Sequence, residues 1–305
     1  MRFKRQRAGI TGLVVTALLS LTACHGGQQA GSASSTGGES GQNNGLFKVV
    51  RHVHLKGSPT FDAMEKRGKV VIGVKEDQPG LGYYNVTTKK RSGFDIDIAR
   101  WIAASLGFGE NRIEFKPVPS VNREQAIING DIDYFVGTYS ITPKREKQVS
   151  FAGPYFITGQ GLLVSADNRQ IKSEKDLNAN TIVCSATGST PIQNMHENFP
   201  QVPTREFDLY SACVEALLSG QVQAVTTDRV ILLGYAAQNP SKLKVVGKPF
   251  TVEKYGIGLA RGDTVLKHHI NMLLAHGNRI WQAIFNRNLG KSGVKVTQPK
   301  VDTSS

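Results

Sequence analysis

The chain has 305 residues, 39% of them hydrophobic, enough for one or two ordinary domains with real cores. Its formal net charge is +13, yet the Lys and Arg residues are scattered among acids and form no basic helix or basic–aromatic cluster. That argues against a nucleic-acid partner and favours a solvated surface. No CxxC and no His–Cys cluster at zinc spacing is present, so no metal or cofactor is expected.

Residues 1–7 are basic and 10–21 are apolar but shorter than the ~20 residues a membrane-spanning helix needs. Residues 1–23 therefore read as an export signal. Leu-Thr-Ala-Cys24 resembles a bacterial lipobox, which makes Cys24 the expected site of lipidation; an ordinary secretory signal with an incidental Cys is the alternative. Residues 24–45, mostly Gly, Ser, Gln and Asn, have too little apolar surface to fold and read as a flexible tether. Cys184 and Cys213 are then left in an oxidising setting. A disulfide between them is expected, with two reduced buried thiols as the alternative.

Residues 46–56 are mixed and read as an extended arm. Ser58-Pro59 opens a short helix that Gly68 ends. The run KVVIGVK (69–75) is a strand apolar enough for burial on both faces, as in a parallel sheet. A hairpin is expected over 83–91, a helix from about 93 to 106, a strand over 113–118, a helix over 122–129 and a strand over 132–136.

After that strand comes GTYSITPKREKQVSF (137–151). Thr142 is a good N-cap, Pro143 suits the first helical position, and Arg145 lies in the first turn. One short segment thus offers backbone N–H groups, hydroxyls and a guanidinium, the parts that hold a carboxylate. An Arg there opposes the helix macrodipole, so the alternative is a solvated surface residue.

Residues 153–161 read as a crossing strand, and 162–165 begin a second lobe. A short helix is expected over 172–177, a strand over 181–184, and then a turn, Ser185 to Ser189, with N–H groups open to a ligand. The unit EQAIING (124–130) followed by a strand recurs as EALLSG (215–220) followed by VQAVT (222–226). It implies two lobes on one α/β plan, each aiming strand ends at a shared cleft. A helix over 230–237, strands over 243–246 and 255–260, and one long helix or two over 263–287 follow; Trp281 falls at core spacing.

The pattern Gly-Thr-Tyr-Ser-Ile-Thr-Pro-x-Arg-x-x-x-Val-x-Phe-Ala-x-Pro-Tyr (137–155) resembles the signature of the family 3 extracellular solute-binding proteins, the polar amino-acid receptors of ABC importers. The likeness runs from about 58 to 289 and is nearest the glutamate-binding branch. It implies a type II periplasmic-binding-protein-like fold, two α/β lobes joined by two crossing strands with the ligand cleft between them. The expected boundaries are 46–157 for the first lobe, 158–248 for the second, 249–290 returning to the first, and 291–305 as a tail. The resemblance assigns Arg145, Thr138 and Ser140 to the ligand α-carboxylate and Asp228 to its ammonium group. Phe94 would pack the ligand's aliphatic part, with a place in the core as the alternative.

Glutamine-binding relatives carry an acid where Lys75 stands. A lysine cannot accept a hydrogen bond from an amide, so Lys75 points to glutamate or aspartate. Thr187 and Gly188 are expected to donate to the side-chain carboxylate, with Gln78 and Tyr139 lining the site. The expected protein is a monomeric receptor on the outer face of the bacterial cell membrane, lipid-anchored and serving ABC permease subunits. It is not expected to be an enzyme: Glu76 and Asp77 are the only acids near the predicted first-lobe cleft loop, and no nucleophile elbow is present. An amide ligand, a sensor that signals to a membrane partner, and a cleft enzyme of the same fold stay as alternatives.

Overall fold

The computed structural model describes residues 45–303; the expected export signal, Cys24 and the tether up to residue 44 lie outside them. Two five-stranded sheets organise the described chain. The first is ordered Ile113–Pro117, Val70–Val74, Tyr134–Val136, Glu253–Leu259, Ser150–Thr158. Its first three strands are parallel, and the last two each run antiparallel to the strand before. The second is ordered Thr204–Phe207, Val183–Ala186, Ala224–Asp228, Gln160–Ser165, Leu243–Val246, with the same succession of parallel and antiparallel pairings.

The internal repeat in the sequence therefore corresponds to a repeat of sheet plan. Helices Arg123–Ile128 and Tyr210–Leu218 each lead into the third strand of their own sheet. The run over Val70–Val74 is buried at every position and paired on both sides, which accounts for its lack of polar alternation. A small antiparallel sheet, Asp77–Gln78, Gly82–Asn85 and Lys90–Ser92, leaves the end of that strand.

The chain crosses between the sheets at Gly159 and returns between Val246 and Glu253. The two crossings touch. Gln160 N–H donates to Thr251 Oγ1 (3.0 Å) and Phe250 N–H to Gln160 O (3.0 Å). A Cβ on Gly159 would lie 2.2 Å from the Thr251 carbonyl, so only glycine fits there.

One cluster of buried apolar residues runs through both lobes, and each lobe adds a smaller cluster of its own. Within the first lobe's share of the large cluster, Phe94, Tyr155, Phe156, Trp281 and Phe285 pack ring to ring, and Trp281 Nε1 donates to Tyr155 O (2.8 Å). Burying one such ring contributes roughly 1.5–3 kcal/mol. The expected long helix is two, Thr264–His276 and Asn278–Leu289. They break at Gly277, where a Cβ would meet the Trp101 ring at 2.1 Å.

Residues 45–56 form an arm without regular structure. Phe47 is buried, and Val50 N–H donates to Ala104 O (2.9 Å). The tail also packs: Val301 is buried and Asp302 N–H donates to Gly153 O (3.0 Å). In the second lobe a Cys184–Cys213 disulfide, Cα atoms 5.5 Å apart, joins strand Val183–Ala186 to helix Tyr210–Leu218. Among the described residues no helix is long and apolar enough to cross a membrane.

Candidate functional site

Three parallel strands of the first sheet end at one edge. Val70–Val74 delivers Lys75, Ile113–Pro117 leads to Ser120 and Arg123, and Tyr134–Val136 leads to Thr138, Tyr139 and Ser140. The second lobe presents Asp228 from the end of Ala224–Asp228 and the turn after Val183–Ala186. Strand ends of open α/β sheets converge in this way on ligand sites.

Three buried cations share the first-lobe wall. Lys75 is 4% exposed and donates from Nζ to Val118 O (3.1 Å) and Ser120 Oγ (2.8 Å). Arg145 sits in the short helix Pro143–Glu146, capped by Thr142, whose Oγ1 accepts from Arg145 N–H (3.3 Å). Its guanidinium donates to Ser140 O (2.8 Å), Glu124 Oε1 (3.1 Å) and, on the other lobe, Gly188 O (3.1 Å). Arg123 opens helix Arg123–Ile128 and is 2% exposed. It donates to Ser120 O (3.0 Å), Thr138 O (3.5 Å) and Gly188 O (3.4 Å).

The Tyr139 ring lies against both guanidiniums, at 4.4 Å from Arg123 and 5.0 Å from Arg145. Phe135 takes Lys75 and Arg123, each at 5.9 Å. Aromatic faces thus supply electron density where water is excluded. Glu124 is within ion-pair distance of Arg145; among the described residues no acid is within that distance of Lys75 or Arg123. Burial, then the Arg123 charge, holds the Lys75 ammonium well below its usual range. Burial and Arg145 push Arg123 down to about 10.

Thr138 occupies the left-handed region at φ +47°, which costs a β-branched residue roughly 1–3 kcal/mol. Its partners hold it there: its N–H donates to Asp95 Oδ2 (3.1 Å) and its hydroxyl to Gln78 Oε1 (3.1 Å). Asp95 in turn accepts from the Tyr155 hydroxyl (2.8 Å), and burial raises its carboxyl to about 7. Gln78 is fully buried, and its Nε2 has no hydrogen-bond partner among the described residues.

Across the cleft Asp228 is 3% exposed. Its Oδ2 accepts from Tyr255 (2.5 Å), while Oδ1 has no hydrogen-bond partner among the described residues. Burial and the neighbouring Glu253 raise its carboxyl to about 8, against the pull of Tyr255 and the two arginines. Thr190 Oγ1 bridges Glu253 Oε2 (3.0 Å) and Ser140 Oγ (3.4 Å).

The lobes also meet beside this site. Asp77 Oδ2 accepts from Ser211 N–H (3.1 Å), at the start of helix Tyr210–Leu218, and the Tyr235 hydroxyl donates to the Asp77 backbone carbonyl, with Oδ2 at 3.3 Å. A Cβ on Gly234 would lie 2.3 Å from the Pro79 carbonyl, and one on Gly188 would lie 2.7 Å from Val121 Cα.

The structure brings Lys75, Gln78, Thr138, Tyr139, Ser140, Arg145, Gly188 and Asp228 to the cleft walls. Phe94 opens helix Phe94–Ser105, with its ring fully buried in the first-lobe aromatic cluster. The turn after Val183–Ala186 differs from expectation. Thr187 N–H is spent on Phe207 O (2.9 Å) and Ser189 N–H on Ala186 O (3.1 Å), while Gly188 offers its carbonyl to the guanidiniums. Sequence reasoning missed Arg123, although it carries the same signal that singled out Arg145, an Arg in a first helical turn just after a strand end. Asp77 as an interlobe contact, Tyr235 and Asp95 were missed as well, having no local pattern.

The profile of the bacterial extracellular solute-binding proteins, family 3, matches residues 70–291. A protein of Corynebacterium efficiens named glutamate-binding protein GluB is 37% identical over 302 residues, covering 95% of this chain and 93% of its own. A protein of Geobacillus stearothermophilus named glutamine-binding protein is 40% identical over 249 residues, covering 82% of this chain and 91% of its own. The solved structure of an ancestral arginine-binding protein bound to arginine superposes with a TM-score of 0.67 at 35% identity, over 73% of this chain and 99% of that one.

Proposed function

The chain belongs to the bacterial extracellular solute-binding proteins, family 3, and from that premise we propose that it binds an acidic amino acid, glutamate before aspartate, and delivers it to an ABC permease. The observation that carries the choice of an acid is the first-lobe wall. Lys75 is buried there beside two guanidiniums with no acid in ion-pair distance among the described residues. A buried cation without a counter-ion is costly, and a ligand carboxylate offsets that cost. An amide oxygen does so less, because it carries no charge.

Arg145 and Asp228 take the two ends of the zwitterion. Arg145 spends three N–H groups on Ser140, Glu124 and Gly188, which leaves two donors for an α-carboxylate. Ser140 and Thr138 flank it. Asp228 Oδ1 supplies the acceptor for an α-ammonium, and the ligand charge would keep its carboxylate ionised. Because these groups lie on opposite lobes, ligand binding and lobe closure are one equilibrium. Gln78 and Tyr139 line the site, Tyr139 by holding both guanidiniums. Thr187 contributes at most its hydroxyl.

We place the protein outside the cytoplasm, held at the membrane through a lipid on Cys24. The lipobox-like Leu-Thr-Ala-Cys24 and the polar stretch after it support that reading. The Cys184–Cys213 disulfide fits an oxidising compartment.

Calorimetric titration with glutamate, aspartate, glutamine and asparagine tests the ligand. The acids are expected to bind more tightly than the amides. Preference for an amide would retain the receptor and discard the charge argument. Binding of none of the four would discard the ligand class.

A further inference from the structure

Resting on the reading that the chain is held at a membrane through Cys24, we propose that the arm over residues 45–56 and the start of helix Thr264–His276 form a docking face for anionic lipid headgroups.

The sequence sets the charge of this face. Between Glu39 and Asp62 the chain has no acid, and its basic side chains there are Lys48, Arg51 and Lys56, with His52 and His54. Between Asp263 and Asp302 it again has no acid. The fold joins the two stretches. A Cβ on Gly57 would lie 3.8 Å from Val265 Cγ2, and Leu55 and Val265 line one groove. The acid at the junction is turned inward. Asp263 is 2% exposed and accepts from Ser58 Oγ (2.7 Å), Thr60 N–H (3.1 Å) and Leu266 N–H (2.9 Å). Arg112 comes in from the side: its guanidinium donates to Gly107 O, and a Cβ on Gly107 would lie 3.5 Å from Val53 Cγ2.

Packing turns the cations of the arm outward. Phe47 is buried, and Val49, Val53 and Leu55 are half-buried against the large apolar cluster, whereas Lys48, Arg51, Lys56 and Arg112 are exposed. Elsewhere on this lobe Arg67 pairs with Asp133, Lys69 with Glu114 and Lys116 with Asp131. Among the described residues no acid is within ion-pair distance of Lys48, Arg51, Lys56, Arg112 or Lys267. Cations held on adjoining segments without counter-ions repel one another and gain by meeting fixed negative charge. Val50, 48% exposed, sets an apolar side chain among them, which suits a headgroup boundary.

The membrane is the anionic surface within reach. Residues 24–44 are 21 in number and mostly Gly, Ser, Gln and Asn, and a chain of that kind spans about 25 Å on average. An anchor at Cys24 therefore keeps the arm at high effective concentration beside the headgroups. Their attraction fades beyond ~8 Å at physiological salt, so it acts on the first folded segment after the anchor.

The test uses the full chain carrying Cys24→Ser, which takes no lipid, sedimented with vesicles of phosphatidylcholine alone and of phosphatidylcholine with phosphatidylglycerol. It is compared with the same chain bearing Lys48→Gln, Arg51→Gln and Lys56→Gln. A control bears Lys172→Gln, Lys175→Gln and Lys248→Gln, three exposed positions of the second lobe and of its return to the first. Residues 1–23 are common to all three forms, so their contribution cancels. Each cation near such a surface changes affinity about fivefold. The arm variant is expected to lose roughly 100-fold on the phosphatidylglycerol vesicles at low salt, the control less than about threefold, and high salt to erase the difference. Equal losses in arm variant and control would assign binding to net charge and overturn the proposal, as would an arm variant that binds like its parent. Arg51→Gln alone, expected to lose about fivefold, carries the test if the triple variant fails to fold. The mass of the protein isolated from its own membrane reports separately on Cys24. A missing lipid with an arm-dependent vesicle preference sinks only the anchor, and a lipid without that preference sinks only the docking face.

Discussion

Tyr255 of the first lobe donates its hydroxyl to Oδ2 of Asp228 of the second at 2.5 Å, and so takes one oxygen of a carboxylate whose other oxygen has no partner among the described residues. This half-satisfied acid sets a pH dependence. Burial raises its carboxyl from 3.8 to about 8 in the folded protein. Below about pH 4 it is protonated both folded and unfolded, and its contribution to stability is fully present. As pH rises toward 8 the unfolded chain has lost the proton that the folded chain still holds, so the contribution drains away. Asp228→Asn carries no such proton. Its melting temperature is therefore expected to exceed that of the wild type at pH 7–8, with the gap closing near pH 4, while ligand affinity falls. Scanning calorimetry across pH without ligand checks this, and a gap independent of pH would refute it.

Arg145→Ala is expected to abolish amino-acid binding with the fold intact, read by titration and by an unchanged circular dichroism spectrum. Retained affinity would remove Arg145 from the α-carboxylate site.

Lys75→Asp reverses the charge at the first strand end and restores an acceptor there. The ratio of affinities is expected to shift from glutamate toward glutamine. An unchanged ratio in paired titrations would show that Lys75 only braces the loop at Val118 and Ser120.

The Asp77–Tyr235 contact joins the lobes beside the ligand-binding groups. Tyr235→Phe removes a hydrogen bond worth ~0.5–1.5 kcal/mol, so ligand release is expected to quicken about two- to tenfold with little change in the association rate. Stopped-flow displacement measures both rates. An unaltered release rate would mean that the contact does not hold the lobes together.

Cys213→Ser opens a loop spanning a sequence separation of 29 residues. Stability is expected to fall by about 2–4 kcal/mol, measured by urea titration. No loss would assign the second lobe's stability to packing alone.

Much of the plan was legible because the signals were local. The apolar run at Val70–Val74, the Ser58 and Thr142 caps and the helix-glycine-strand repeat all state their structure within a few residues. The strand Thr204–Phe207 was missed because it lies at a sheet edge, has no fully buried position and reads as polar. The surroundings of Phe94 were not legible, because an aromatic residue at a helix start looks the same whether its ring faces a cleft or a core. Arg123 was passed over because its significance lies in what does not surround it. In the fold Glu124, the next residue, makes its ion pair with Arg145 instead, a partition that the order Asn122-Arg123-Glu124 does not show.

Phe47 and Val301, near the two ends of the described chain, are both buried against the first lobe. Seen from either end, that lobe is the fixed frame, and any opening of the cleft appears as travel of residues 160–246 alone. A holder that grips the chain near residue 45 therefore fixes the orientation of Lys75, Arg123 and Arg145 and leaves Asp228 to sweep. A single dye on the second lobe, read against a surface that captures the N-terminal side, would record the whole excursion, and a dye on the first lobe would record almost none of it.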